Sequence, residues 1–452
     1  MPIRRLRRDQ GADGRLHGPR LHRRLPGSRG GATGDAGMTA RDLPFASSPE
    51  ALGFDPQGLA SLDGYMSGMV ESGKVAGTST LLIRHGRVAA FSTFGKADLA
   101  DDKPIERDTL FRIYSMTKPV TGVAMMILYE QGLWRLDDPI TDYLPEFIGQ
   151  KVFAGIADDG SMLTKDAIRA PTMRELMSHT TGLGYGLFDV HPVERAYRES
   201  GVMMADSHEQ LAERAARIPL MFQPGTEWFY SIATDLQALV VKRLSGMSFA
   251  DFLRTRIFEP LGMADTGFHV PADQVHRLAE MYCDDGAGGL RVATDAFDMP
   301  INDYTRPPRF EGGGGGLVST AMDYARFCQM ILNRGELDGV RILKPATVDL
   351  MATNAVPEAV LDTTHPLRLL PFSRALTFGL DFAITEDPKR LGLVEGKGTL
   401  SWGGGGGTWF WIDPENDLIF VGLIQRMADP VSGEFRIRAR SLTYAALTHP
   451  EK

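Results

Sequence analysis

From Asp55 to about Ser72 the apolar residues Leu59, Leu62, Met66, Met69 and Val70 recur every three or four positions, which predicts an amphipathic helix with one buried stripe. The period then shortens to two. Residues 79–93, STLLIRHGRVAAFST, read as two strands joined at His85-Gly86 in a hairpin. Near the other end, TWFWI (408–412) and LIFVGLI (418–424) flank the turn-forming DPEND, predicting a second hairpin, with a last helix after Gly433. Between these ends, from Lys118 to roughly Phe268, helical segments are punctuated by Gly and Pro, and no internal repeat is visible. Strands at both ends with helices between them predict an α+β fold: an antiparallel sheet built from both termini, flanked by helices, with a mainly helical region inserted. The corresponding domains are a leader at 1–40, a sheet domain from 41–117 and 300–452, and a mainly helical domain at 118–299.

Within that pattern one segment carries candidate chemistry, FRIYSMTKPVTGVAMMILYEQGLW at 111–134. From Val120 to Tyr129 it is apolar almost all round, as a buried helix requires, and Gly132 suits its left-handed end. Pro119 lacks an N–H, so it must fall among the first four helical residues, and Ser115 then stands at the helix N-terminus. Lys118, three residues on, shares its face and can touch it. Unpaired N–H groups and the positive dipole end favour a developing negative charge at Ser115 and disfavour a protonated lysine. A buried lysine of depressed pKa could therefore take the serine proton. Ser-x-x-Lys in isolation is also what a helix-capping serine followed by a solvated lysine looks like. The motif occurs once in this chain and opens a buried helix, where a solvated lysine would be misplaced.

Composition narrows the class. The chain of 452 residues is 43% hydrophobic and 23% charged, ordinary for a soluble enzyme large enough for one big core or two domains sharing a cleft. A net charge of −8 argues against a nucleic-acid partner. No run of eighteen apolar residues occurs, so no membrane-crossing helix is expected and the protein is expected in the cytoplasm. Cys283 and Cys328 lie far apart without a CxxC pair and are read as small buried hydrophobes. Residues 1–37 hold nine arginines and many glycines but few large apolar residues, which predicts disorder; Arg4, Arg5, Arg7 and Arg8 suggest an export signal, but no apolar stretch follows them and a signal peptide is not expected. Met38 opens the first ordinary globular sequence, so the leader is either a flexible tail or a misassigned start.

Two further segments add candidates. In PGTEWFYSIATDLQALVVKRLSG (224–246), Pro224-Gly225 turns the chain, and Tyr230 ends a loop before a helix that begins near Thr234 with Asp235 in its first turn. A tyrosine there is either a core aromatic or a proton shuttle whose phenolate Lys118 stabilises. In LSWGGGGGTWFW (400–411), the run Trp402, Gly403, Gly404, Gly405 precedes a strand, and its glycines would let a backbone approach a ligand and turn N–H groups toward it. The alternative is a bulged strand edge; EGGGGGLV at 311–318 is a second such tract, and neither precedes Lys-Ser or Lys-Thr as a P-loop would. His179, His191, His208 and His269 show no metal-ligand spacing, so neither metal nor cofactor is expected. No GxSxG elbow exists, and His179 in SHTTG is read as a loop anchor rather than a base.

Taken in order, SMTKPVTGVAMM, LMSHTTGL (176–183), PGTEWFYS, EPLGMADTGF (259–268), GGGGLVSTAMDYARF (313–327) and WGGGGGTWFW resemble the serine β-lactamase and penicillin-binding protein superfamily, specifically the class C β-lactamase branch and its family VIII carboxylesterases. The resemblance spans roughly 45–447 and implies a β-lactamase/transpeptidase-like fold. It also implies Ser115 as acyl-accepting nucleophile, Lys118 as its partner, Tyr230 as activator and proton donor to the leaving group, and the N–H groups of Ser115 and Gly405 as the oxyanion hole. Two departures bear on the branch. Where β-lactamases of this type carry Tyr-x-Asn, this chain has Tyr230-Ser231-Ile232; where they carry Lys-Thr-Gly, it has Trp402-Gly403-Gly404, and the nearby Lys397-Gly398-Thr399 does not match in order or position. Both departures resemble family VIII esterases, so the implied substrate is a small neutral ester. A weak β-lactamase, a D-amino-acid peptidase and an acyltransferase remain open within the fold. A non-catalytic ligand-binding relative is the alternative from another class.

Overall fold

A computed structural model describes residues 42–296, 299–361, 373–427 and 430–448. The expected leader at 1–40 lies outside the described residues, and all described residues fall within one compact unit. The first helix, α1 (Pro56–Glu71), begins where Asp55 caps it, its side chain accepting from the N–H groups of Gln57 and Gly58, with Pro56 in the first turn. It buries Leu59, Leu62, Met66 and Met69 of the stripe read from the sequence, each worth about 1.5–3 kcal/mol when fully withdrawn from water, and leaves Val70 half-buried.

Strands β1 (Gly77–Arg84) and β2 (Arg87–Asp98) form the expected hairpin. Its two-residue turn puts His85 and Gly86 at φ 52° and 68°, the left-handed pair that matches the twist of the flanking strands. His85 Nδ1 stands 2.9 Å from Asp417 Oδ2, tying this turn to the second hairpin. With β3 (Lys103–Pro104), β4 (Leu376–Phe378), β5 (Ala383–Thr385), β6 (Thr399–Gly403), β7 (Trp409–Asp413) and β8 (Leu418–Leu423), the sheet runs β4-β5-β6-β7-β8-β1-β2-β3, antiparallel throughout. The α+β expectation therefore holds, with the two ends of the chain meeting at the β1–β8 pair.

Alternation along the strands divides the interior in two. Leu82, Trp409, Trp411 and Phe420 face α1 and the C-terminal helix. Leu81, Ile83, Phe410 and Val421 face a larger core built on α2 (Thr117–Glu130), α3 (Ala233–Ser245) and α4 (Ala321–Leu332). The C-terminal helix, α5 (Pro430–Ala445), starts three residues before Gly433 rather than after it: Pro430 is its first residue, a position where the missing N–H costs nothing, and glycine is tolerated in a first turn. The mainly helical stretch also contains a hairpin that the sequence reading passed over, Lys151–Ile156 against Met162–Asp166. Its signals, Val-Phe-x-x-Ile followed by Asp-Asp-Gly, are short and face little core.

Cys328 is buried as expected, whereas Cys283 is half-buried. Among the described residues no helix is long and apolar enough to cross a membrane. Among the same residues no group of three or more His, Cys, Asp or Glu could hold a metal ion.

Candidate active site

Ser115 stands where a strand is forced into a helix. Phe111–Arg112 pairs with Val318–Ser319, and the Ile113 N–H donates to Leu317 O at 3.0 Å. The chain then turns sharply, with Tyr114 at φ 43°, a left-handed backbone costing about 1–3 kcal/mol for a bulky residue. A single 3-10 turn, Tyr114–Met116, carries Ser115 and leads into α2 at Thr117. The α-helix thus opens two residues after Ser115, and Gly132 follows its end at φ 73° as expected.

Packing from a distance fixes the strained turn. A Cβ on Gly404 would stand 2.3 Å from Ile113 O, and one on Gly406 would stand 3.0 Å from the Tyr114 ring, so the tract after β6 is glycine because it abuts the serine turn. Within it, the Gly404 N–H donates to Thr408 O at 2.8 Å, and Arg436 Nη2 of α5 donates to Gly404 O and Thr408 O at 3.3 and 3.2 Å. Gly403 packs against the same guanidinium. Gly403 and Gly404, expected with Gly405 to line the ligand, are therefore committed to holding the loop. Neither the Ser115 N–H nor the Gly405 N–H has a hydrogen-bond acceptor among the described residues.

Lys118 is fully buried. Its Nζ lies 3.4 Å from Ser115 Oγ, donates to Gly314 O at 2.6 Å and to the Tyr185 hydroxyl at 3.1 Å, and stands 4.5 Å from the centroid of the Tyr230 ring. Burial alone would push the ammonium toward deprotonation. Tyr185, Tyr230 and Asp235 outweigh it, and the net direction is upward. This corrects the expectation of a lysine with depressed pKa: the sequence exposes the burial but not the phenols and carboxyl gathered around it.

Tyr230, at the end of the loop before α3, is half-buried with its ring 5.4 Å from Trp402, whose indole N–H points at the Tyr230 hydroxyl across 3.4 Å. Trp402, which stands where the family's Lys-Thr-Gly would begin, therefore presents a neutral donor instead of a cation. Ile232, in place of the family's asparagine, is buried in the main core with its N–H on Gly184 O at 3.1 Å. His179 is buried, its Nδ1 3.0 Å from Ser231 Oγ and its ring among Trp228, Tyr230 and Phe378. Burial and then the nearby Lys118 charge push its pKa well down, so it anchors its loop as a neutral ring.

Sequence reasoning missed Tyr185. It is buried against Lys118, 67 residues away in the chain, and burial pushes its phenol up although Lys118 opposes that. Glu194 holds the Tyr185 loop by accepting from the N–H groups of Tyr185, Gly186 and Phe188. The available signal was Gly184-Tyr185-Gly186, an aromatic flanked by two residues free to turn. Lys118 and Tyr185 are thus interior, while Ser115, Tyr230, Trp402 and Gly405 are half-buried.

The family model described as Beta-lactamase matches residues 62–445. The chain belongs to the beta-lactamase family. Among its relatives, Protein Rv1367c of Mycobacterium tuberculosis is 37% identical over 375 residues, covering 82% of this chain and 91% of that protein. Esterase EstB of Burkholderia gladioli is 29% identical over 425 residues, covering 90% of this chain and 100% of that protein. The solved structure of EstCE1, a hydrolase with promiscuous acyltransferase activity, superposes with a TM-score of 0.71 at 28% identity, covering 86% of this chain and 99% of that one. Within the beta-lactamase family the chain thus resembles the esterase branch, as its motifs implied.

Proposed function

We propose that this member of the beta-lactamase family is a carboxylesterase that hydrolyses small neutral esters through an acyl-enzyme on Ser115. The observation that supports this most is the contact of Ser115 Oγ with a buried Lys118 that also bears on two tyrosines, at a site whose usual second cation is replaced by Trp402. Ser115 Oγ attacks the ester carbonyl as its proton passes to Tyr230, and the Lys118 ammonium balances the phenolate charge. The N–H groups of Ser115 and Gly405 hold the oxyanion, each such donor being worth about 2.7–4 kcal/mol of the barrier. Tyr230 returns the proton to the departing alkoxide, the alcohol leaves, and water repeats the sequence to free the acid. Lys118 stays protonated throughout, in keeping with its raised pKa.

Esters are favoured over lactams because Ile232 and Trp402 leave no amide and no cation for a lactam's side chain and carboxylate. A panel of p-nitrophenyl acetate, p-nitrophenyl butyrate and nitrocefin tests the reading. Both esters are expected to turn over at least about a hundredfold faster than nitrocefin, the size expected when two polar contacts are missing. A faster nitrocefin reaction would make the protein a β-lactamase instead. A second reading, acyl transfer to an alcohol, draws on the likeness to EstCE1, and added butanol in the same assay measures it as butyl ester formed per acid released.

The Trp402 indole contributes one long hydrogen bond to Tyr230. Trp402→Phe, which keeps the ring, is expected to lower kcat by about two- to tenfold. A change of several hundredfold would mean that Trp402 does more than support the phenol.

A further inference from the structure

The second glycine tract, Gly312–Gly316, runs beside the start of α2 and presents a row of carbonyls, two of them to that helix. Gly313 O accepts from Thr121 Oγ1 at 2.8 Å, Gly314 O from Lys118 Nζ at 2.6 Å, and Gly315 O from the Tyr304 hydroxyl at 3.3 Å. Gly314 O is the shortest of the Lys118 contacts. The N–H of the same residue donates to Asp235 Oδ1 at 2.9 Å, so Lys118 and Asp235 grip the two ends of one glycine. A Cβ there would stand 2.6 Å from Asp235 Oδ2, which leaves no room for any other residue.

Asp235 is buried in the first turn of α3, and its Oδ2 has no hydrogen-bond partner among the described residues. A half-satisfied interior carboxyl is costly unless a charge nearby compensates it. The titratable groups that bear on Lys118 are Tyr185, Tyr230, Asp235, His179 and Asp381. Burial pushes His179 well down and Asp381 well up, leaving both neutral, and Asp381 Oδ1 is engaged by Gln237 Nε2 at 3.3 Å. Burial raises Asp235 as well, with the Lys118 charge opposing it; of the two buried carboxyls, Asp235 is the one tied to the lysine through Gly314.

We infer that Asp235 is a positioning residue for Lys118: through Gly314 it sets where the ammonium stands, and its charge keeps that ammonium protonated beside Ser115 and Tyr230. The inference rests on the esterase reading above. It accounts for a glycine tract and a buried acid that no step of ester hydrolysis touches.

Asp235→Asn on the full chain separates charge from shape, because the amide oxygen can still accept from the Gly314 N–H. With p-nitrophenyl acetate, kcat is expected to fall about tenfold or more with KM within about twofold, and fluorophosphonate labelling of Ser115 to slow in proportion. The limb of the kcat–pH profile set by Lys118 should move to lower pH by about one unit, since an ammonium without its anion loses its proton more readily. Asp235→Glu should restore part of kcat and return the limb. If the Asn chain does not fold, Gly314→Ala carries the test, with the same loss of kcat and labelling expected at unchanged KM. Wild-type kcat per labelled site together with an unmoved pH profile in Asp235→Asn would overturn the role, whatever happens to its melting temperature. A wild-type chain that neither hydrolyses the ester nor takes the label would sink the esterase reading along with it; an active wild type with an unaffected Asn variant would sink the Asp235 role alone.

Discussion

Replacing Ser115 by alanine is expected to lower p-nitrophenyl ester turnover by about a thousandfold or more, the loss typical when the nucleophile of an acyl-enzyme mechanism is removed. Stability should hardly change. The serine is half-buried and its hydroxyl makes a single long contact among the described residues, 3.4 Å to Lys118, so its deletion costs at most about 1 kcal/mol, a shift of about 1 °C in melting temperature for a chain of this length. Fluorophosphonate labelling should vanish with the activity. Adding Lys118→Ala to Ser115→Ala should take away little more, because groups that act as one unit do not add. A Ser115→Ala chain that keeps half of its turnover would remove the basis of the proposed function.

Tyr230→Phe is the second large effect expected, a fall in kcat of about a hundred- to ten-thousandfold with little change in KM, the range in which positioned acid–base groups act. Two phenols compete for this role, and burial separates them. Tyr185 donates no proton to anything outside the core: it is interior and its hydroxyl is occupied by Lys118 at 3.1 Å. Tyr230 is half-buried, and Trp402 meets its hydroxyl. Tyr185→Phe, measured beside it, should therefore cost less than Tyr230→Phe. The reverse order would transfer the proton-carrying role to Tyr185.

How much of this was legible in the amino-acid order depends on the distance over which each signal acts. The hairpin at His85-Gly86 and the helix entry at Pro119 are decided by neighbours a few residues apart, and both stand where the pattern put them. The candidate residues Ser115 and Lys118 were legible for the same reason, being one turn apart on one strand-to-helix junction. What escaped lies in contacts between remote segments. Tyr185 meets Lys118 only because Glu194 folds its loop inward. The direction of the Lys118 pKa was misjudged because Tyr185, Tyr230 and then Asp235 gather around it from remote segments, Asp235 through Gly314, a residue 79 positions from that acid and 196 from the lysine. The hairpin at 151–166 was missed because it faces little core, and periodicity reports burial before it reports pairing.

The strained turn at Tyr114 draws its support from Leu317, from Gly315 and from the loop at Gly404–Gly406, while the strand β1 that precedes it in the chain waits for β8 as its neighbour. The turn is therefore held only once segments some two hundred and three hundred positions further along the chain have packed against it. The serine turn is thus expected to form late in folding, after closure of very long loops. Trimming the carboxy-terminal helix removes Arg436 and its hold on Gly404 and Thr408, and is expected to loosen the loop beside the serine turn without touching Ser115, Lys118 or Tyr230.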